Sequence, residues 1–193
     1  MIGGLILAAG EGRRFGGPKQ LAELDGAPLL EHAIRAMEAV PAIDRVVVVL
    51  GARADEIRGA IDFGAAETVV CDDWADGLSA SLRTGIDALT LTKGSDPFVT
   101  GADAIILTLG DQPFITPQVI ARFVGERGTC RASYDGAPGH PVRMTAATAR
   151  KARELTGEAG ARELLRDVRL VECGHLCRPD DVDTREELEA LRT

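Results

Sequence analysis

Four glycines and three cations fall within one short segment, Leu7-Ala8-Ala9-Gly10-Glu11-Gly12-Arg13-Arg14-Phe15-Gly16-Gly17-Pro18-Lys19. Glycine lets backbone N–H groups close on phosphate oxygens, and Arg and Lys neutralise the charge that a polyphosphate brings. Gly10, Gly12 and Gly16 space as G-x-G-x-x-x-G, which is not the dinucleotide fingerprint, and no Gly-Lys-Ser/Thr follows to make a Walker loop. From these residues alone, a phosphate site and a plain turn both stay open.

A carboxylate supplies the second chemical element. Asp111 follows the apolar run 104–109, and a carboxylate at a strand end is a hard oxygen ligand suited to Mg²⁺. A turn or helix-capping aspartate has the same sequence signature. Asp181 and Asp183 form a further acidic group just before Thr184, with capping of a last helix as their alternative. Cys173-Gly174-His175-Leu176-Cys177 is the one segment with metal-ligand residue types close together. Zinc there needs a fourth ligand that no other Cys/His pair provides, so a strand end and loop is the expected reading. Trp74 and Phe15 are expected to be packing anchors at loop edges.

The elements that must position these groups alternate between strand-like and helix-like runs, the mark of βαβ units around a mostly parallel sheet. Strands are expected at 4–7, 45–50, 67–70, 104–109, 131–134, 141–144 and 169–173. Helices are expected at 28–37, 55–61, 79–89, 145–155, 161–167 and 184–191, with another starting after Thr116, where threonine fits an N-cap and Pro117 the first helical position. Residues 92–101 are polar and fit a loop. Leu29, Leu30, Ala33, Ile34 and Met37 share one helical face, as do Leu82, Ile86 and Leu89. The run 104–109 has no polar face and predicts a central strand buried on both sides. Ligands of open α/β sheets bind beyond the carboxyl ends of strands, at the switch point, so the loop after Ala9 and the Gly110-Asp111 pair point at one crevice.

Length and charge narrow the function classes. The 193 residues fit one domain, 1–193, and no apolar run approaches the length of a membrane span. A formal net charge of −8 repels a nucleic-acid backbone. No secretory leader is apparent at the amino terminus, so the four cysteines are expected to be reduced and the protein cytoplasmic.

The glycine-rich segment resembles the L-A-A-G-x-G-x-R-x-G-x-x-K signature of the MobA-like nucleotidyltransferases. Further segments match in order: Trp74-Ala75-Asp76-Gly77 through Ser81-Leu82, Leu109-Gly110-Asp111-Gln112-Pro113, Gly139-His140-Pro141-Val142 and Asp181-Val182-Asp183-Thr184. Within that superfamily the chain is similar to the molybdenum cofactor cytidylyltransferases. The resemblance implies a Rossmann-like, three-layer α/β/α fold of the nucleotide-diphospho-sugar transferase type. It also implies Mg²⁺-dependent transfer of CMP from CTP to the phosphate of molybdopterin or molybdenum cofactor. The rivals are GTP as donor, a different phosphorylated acceptor, and a non-catalytic carrier of the cofactor. A molybdoenzyme or its maturation chaperone is the implied partner. Carried over residue by residue, Arg14, Lys19 and Asp111 take catalytic roles. Leu7, Ala8, Ala9, Gly10, Gly12, Arg13, Arg14, Lys19, Ser79, Ser81 and Gly110 surround the nucleotide, with Arg13 and Ser79 the weaker members. Ala8-Ala9-Gly10 resembles the cytidylyl enzymes, where guanylyl enzymes usually carry A-G-G. Asp111 and Asp183 are the implied metal carboxylates, Asp181 is the rival of Asp183, and His140 lies on the acceptor side. Arg185 stands where the family usually has proline.

Overall fold

A computed structural model describes residues 1–90, 102–157 and 163–192. Along the chain run β1 (Ile2–Ala8), β2 (Glu23–Leu24), β3 (Ala27–Pro28), α1 (Leu29–Glu38), β4 (Arg45–Leu50), α2 (Ala54–Ala60), β5 (Glu67–Val70) and α3 (Leu78–Thr90). They are followed by β6 (Ala104–Leu109), α4 (Pro117–Gly125), β7 (Cys130–Tyr134), β8 (Ala137–Thr145), α5 (Ala146–Ala152), β9 (Arg169–Glu172) and α6 (Arg185–Leu191). Seven strands form one sheet in the order β5-β4-β1-β6-β8-β7-β9. All run parallel except β8, which is antiparallel to both neighbours.

Alternation along β1 builds the two faces. Ile6 and Ala8 pack with Ile34, Met37, Val48 and Phe123 under α1 and α4. Leu5, Leu7 and Ala9 pack with Val49, Leu82, Ile86 and Leu107 under α3. Because both faces are covered, the central strands are continuous apolar runs and not alternating ones. The expected faces of α1 and α3 are buried as the helical period requires. Thr116 caps α4 by accepting from the Val119 N–H, with Pro117 at the first position. Thr184 and Glu187 close a reciprocal capping box on α6.

Several expectations need adjustment. β8 begins at Ala137 and not at residue 141, and α5 stops at Ala152, short of residue 155. The two-residue strands β2 and β3 pair into a small hairpin that the sequence periodicity does not announce. The loop expected at 92–101 lies outside the described residues, as do residues 161 and 162 of the helix expected at 161–167. No helix among the described residues is long and apolar enough to cross a membrane.

Candidate active site

β1 and β6 lie side by side in parallel, while the chain leaves β1 through α1 for β4 on one flank and β6 through α4 for β7 on the other. The switch point expected between them is therefore at their carboxyl ends. A cleft of about 250 Å³ opens there. Its lining is Leu7 through Gly10, Lys19 and Gln20 from the loop after β1, Trp74, Gly77, Leu78 and Ser81 around the start of α3, and Leu109, Gly110 and Asp111 at the end of β6. Glycine is required at residue 110 by close approach, since a Cβ there would lie 3.0 Å from the Ala8 Cβ and 2.9 Å from the Leu30 Cδ1.

The loop after β1 folds back on itself. Gly12 has φ +72°, and its carbonyl accepts from Gly16 N at 3.0 Å and Gly17 N at 3.3 Å. A Cβ on Gly12 would sit 1.9 Å from the Gly17 carbonyl oxygen, so both the dihedral and the space demand glycine. Gln20 pins the loop from the other side, its Nε2 donating to the Ala8 and Gly10 carbonyls at 2.7 and 2.9 Å. This fold-back delivers Lys19 on a single 3₁₀ turn, Lys19–Leu21, to the mouth of the cleft.

There Lys19 Nζ meets Asp111 Oδ2 at 2.6 Å and Asp183 Oδ1 at 2.7 Å. Asp183 reaches this position because Val182 N donates to the Asp111 carbonyl at 3.0 Å, drawing the chain before α6 against the end of β6. The other Asp183 oxygen, Oδ2, takes Arg14 at 2.8 Å. Burial pushes the Asp111 carboxyl up against the opposing pull of Lys19. The hydrogen bond from Lys19 holds Asp183 below the usual carboxylate range. Burial alone would lower the Lys19 ammonium, and the two carboxylates outweigh it, so its proton is held more tightly than in water. Asp111 Oδ1 is buried with no hydrogen-bond partner, an unmet acceptor on a carboxylate that lines the cleft.

The residues singled out from sequence separate into two groups. Leu7, Ala8, Ala9, Gly10, Lys19, Ser81, Gly110 and Asp111 line the cleft; Arg14 and Asp183 join it through Lys19, and Gly12 shapes the loop. Arg13 points into solvent and pairs with Glu11 at 2.6 Å. Ser79 is fully buried, and its hydroxyl donates to the Gly157 carbonyl, away from the cleft. His140 starts the body of β8 beside the carboxyl end of β6 without lining the cleft; burial, then the charge of Arg131, pushes its pKa down to about 4. Asp181 is exposed and makes no contact with Lys19 among the described residues, whereas Asp183 does. Cys173 follows β9 as a strand end, its thiol donating to the Val171 carbonyl at 3.3 Å, and no group of three or more metal-ligating side chains occurs among the described residues. Phe15 and Trp74 are packing anchors, as expected, and Trp74 lines the cleft as well. Gln20, Gly77 and Leu78 were not legible as site residues. A carboxamide directly after the last loop cation was the one available signal for Gln20.

Residues 4–173 match the family described as the MobA-like NTP transferase domain. This chain belongs to that family. Nicotine blue oxidoreductase of Paenarthrobacter nicotinovorans is 32% identical over 98% of this chain and 96% of its own. The 2-C-methyl-D-erythritol 4-phosphate cytidylyltransferase of Ralstonia nicotianae is 40% identical over 63% of this chain and 48% of its own. Rv0371c of Mycobacterium tuberculosis, solved in complex with manganese, superposes with a TM-score of 0.78 at 27% identity, covering 98% of this chain and 97% of its own. The MobA-like fold and the nucleotidyltransferase class expected from the glycine-rich segment are thus established.

Proposed function

We propose that this protein transfers CMP from Mg-CTP to the terminal phosphate of molybdopterin or molybdenum cofactor, with release of pyrophosphate. The observation that carries the reading is the Lys19 ammonium held between Asp111 and Asp183 at the mouth of a glycine-lined cleft. Two carboxylates with hard oxygens, one of them unpartnered at Asp111 Oδ1, fit a divalent cation. Asp111 and Asp183 would hold Mg²⁺, and the ion would supply neutralisation of the triphosphate.

An oxygen of the acceptor phosphomonoester bonds to the α-phosphorus of CTP as the bond from that phosphorus to the pyrophosphate oxygen breaks. The acceptor is already anionic at neutral pH, so no side-chain nucleophile is required and the protein's work is orientation and charge stabilisation. Lys19 and Arg14 receive the charge that builds on the departing pyrophosphate. Arg14 is largely exposed and free to turn from Asp183 toward a phosphate. The backbone from Leu7 to Gly10, with Gly110 opposite, borders the base, and Ser81 approaches from α3. Ala8-Ala9-Gly10 and the Ralstonia cytidylyltransferase relative favour CTP over GTP. Ser79 and Arg13 are left out of the nucleotide contacts, and His140 faces the acceptor.

The decisive experiment compares thermal shifts with CTP, GTP, ATP and UTP, each with and without Mg²⁺, followed by pyrophosphate release with molybdenum cofactor. A Mg²⁺-dependent shift greatest for CTP, and turnover abolished by Asp111→Asn, support the proposal. A greater GTP shift reassigns the donor, and tight cofactor binding without pyrophosphate identifies a carrier that serves a molybdoenzyme or its chaperone. A second reading comes from the full-length likeness to nicotine blue oxidoreductase. It predicts no thermal shift with any triphosphate and no pyrophosphate release.

A further inference from the structure

Arg131 takes no part in the site described above. It lies on β7, whose residues Cys130, Ala132 and Tyr134 belong to the core layer with Phe123. Arg131 and Ser133 therefore occupy the other face, shared with Val142 and Met144 of β8 and with Leu7 and Ala9 of the cleft wall. Although Arg131 pairs with Val142, its Nε donates to the Gly139 carbonyl at 3.4 Å. The side chain thus runs along β8 toward the edge where β6 ends. Leu107 pairs with Val142 in the antiparallel ladder, and the segment 139–140 that Arg131 reaches precedes this pair on β8, on the side toward which β6 runs to its end at Leu109, a cleft residue.

The charge of Arg131 is uncompensated. The side chain is half-buried, it has one neutral carbonyl as partner, and no carboxylate pairs with it among the described residues. Glu172, which β9 brings beside Ser133, is already committed: it accepts from the Ser133 hydroxyl and from the backbone N–H groups of Asp135, Gly136 and Gly174. Burial draws the Arg131 guanidinium down with no acid to hold it up. Arginine nevertheless keeps its proton, and a cation removed from water without a counter-charge destabilises the fold. The chain has 30 acids to 22 bases, and Arg45, Arg153 and Arg169 each find a carboxylate. An anion from outside would complete Arg131.

We propose that Arg131 is a specificity-determining residue that binds an anionic group of the acceptor, with the His140 imidazole beside it. The proposal rests on the acceptor side assigned above. The guanidinium fork suits an oxyanion, whether the attacking phosphomonoester or a separate anionic substituent. Trp74 is the sole tryptophan and lines the cleft, so its fluorescence reports nucleotide binding independently.

The test is calorimetric titration of wild type, Arg131→Met and Arg131→Lys with inorganic phosphate, phenyl phosphate and benzoate, with and without a non-transferable CTP analogue, alongside Trp74 titration with Mg-CTP. Arg131→Met is expected to lose roughly tenfold or more in phosphate affinity, the value of one charge-assisted hydrogen bond, while Arg131→Lys recovers part of it. Its nucleotide affinity should stay within about twofold of wild type, and its melting temperature should hold or rise because a buried unpaired charge is gone. A loss confined to the phosphates assigns Arg131 to the attacking group; an equal loss for benzoate assigns it to a separate anion. The proposal is overturned if wild type binds none of the three anions, if Arg131→Met binds them as wild type does, or if nucleotide and anion affinities fall together. Silence of Trp74 toward every nucleotide defeats the transferase reading instead, and the titrations on free protein still decide Arg131.

Discussion

Lys19 occupies the place between two carboxylates that a cation would take, and replacing it with methionine exposes the consequence. Nζ lies 2.6 Å from Asp111 and 2.7 Å from Asp183, and the three side chains are only 15%, 19% and 23% exposed. Removing one partner of a buried ion pair costs about 3–5 kcal/mol, because the remaining charge stays desolvated. Partial exposure and the surviving Arg14 contact to Asp183 at 2.8 Å reduce this, to roughly 2–3 kcal/mol. At about 2–4 °C per kcal/mol for a chain of this size, Lys19→Met should melt about 4–12 °C below wild type at neutral pH. Millimolar Mn²⁺ without nucleotide should then restore much of the difference, because the vacated carboxylates gain a cation, while wild type, with its lysine in place, responds weakly. Differential scanning fluorimetry with and without MnCl₂ measures both effects. The reasoning fails if Lys19→Met melts with wild type, or if the two proteins respond equally to Mn²⁺.

Other substitutions probe the surroundings. Ser79→Ala should lower stability by about 1 kcal/mol through loss of the bond to the Gly157 carbonyl and leave nucleotide affinity intact, whereas Ser81→Ala should do the reverse; denaturant melts and nucleotide titrations separate them. Gly12→Ala combines φ +72° with a Cβ 1.9 Å from the Gly17 oxygen, so the loop must open, and nucleotide affinity should fall on the order of tenfold or more for about 1–2 kcal/mol of backbone strain. His140 has a folded-state pKa of about 4 against an ordinary 6.5. Below pH 6.5 the unfolded chain therefore gains a proton that the folded one refuses, and stability should decline as pH falls from 6.5 toward 4. Urea melts across that window should show a shallower decline in His140→Gln, and parallel curves would refute the assignment.

The features legible from sequence were those set by neighbours in the chain. β6 announced itself because a strand covered on both faces has no polar residue to interrupt it, and Asp111 could be placed at its end without knowing what packs there. The loop from Gly10 to Lys19 was visible through residue types that only a turn near anions favours. What failed to show depended on distant partners. Ser79 and Ser81 are two residues apart on α3, and only the packing of Gly157 decides which hydroxyl is consumed by the fold. Asp181 and Asp183 flank Val182, whose N–H bonds to the Asp111 carbonyl; Asp183 meets Lys19, while the charge of Asp181 also acts on Asp111, and neither relation shows in the local sequence. β8 starts earlier than expected because β7 alongside it pairs Tyr134 with Ala137 and Ser133 with Pro138, before the register shifts at 139–141, and no local pattern at Pro138 and Gly139 announces that partner. Arg131 gave no signal, since an arginine in a strand is ordinarily solvated and its lack of an acid is visible only in three dimensions.

The reversed strand β8 carries a further implication for how such proteins diversify. A parallel strand delivers side chains to the carboxyl edge only where it ends, but an antiparallel one enters the sheet there, so 137–141 meet that edge directly after the tight turn from β7. The cleft segments 7–19 and 109–111 belong to β1, β6 and their loops. Under the proposed function, recognition of donor and of acceptor would therefore be encoded in separable stretches of chain. Exchanging residues 130–145 between family members should transplant acceptor preference while leaving base preference with the host.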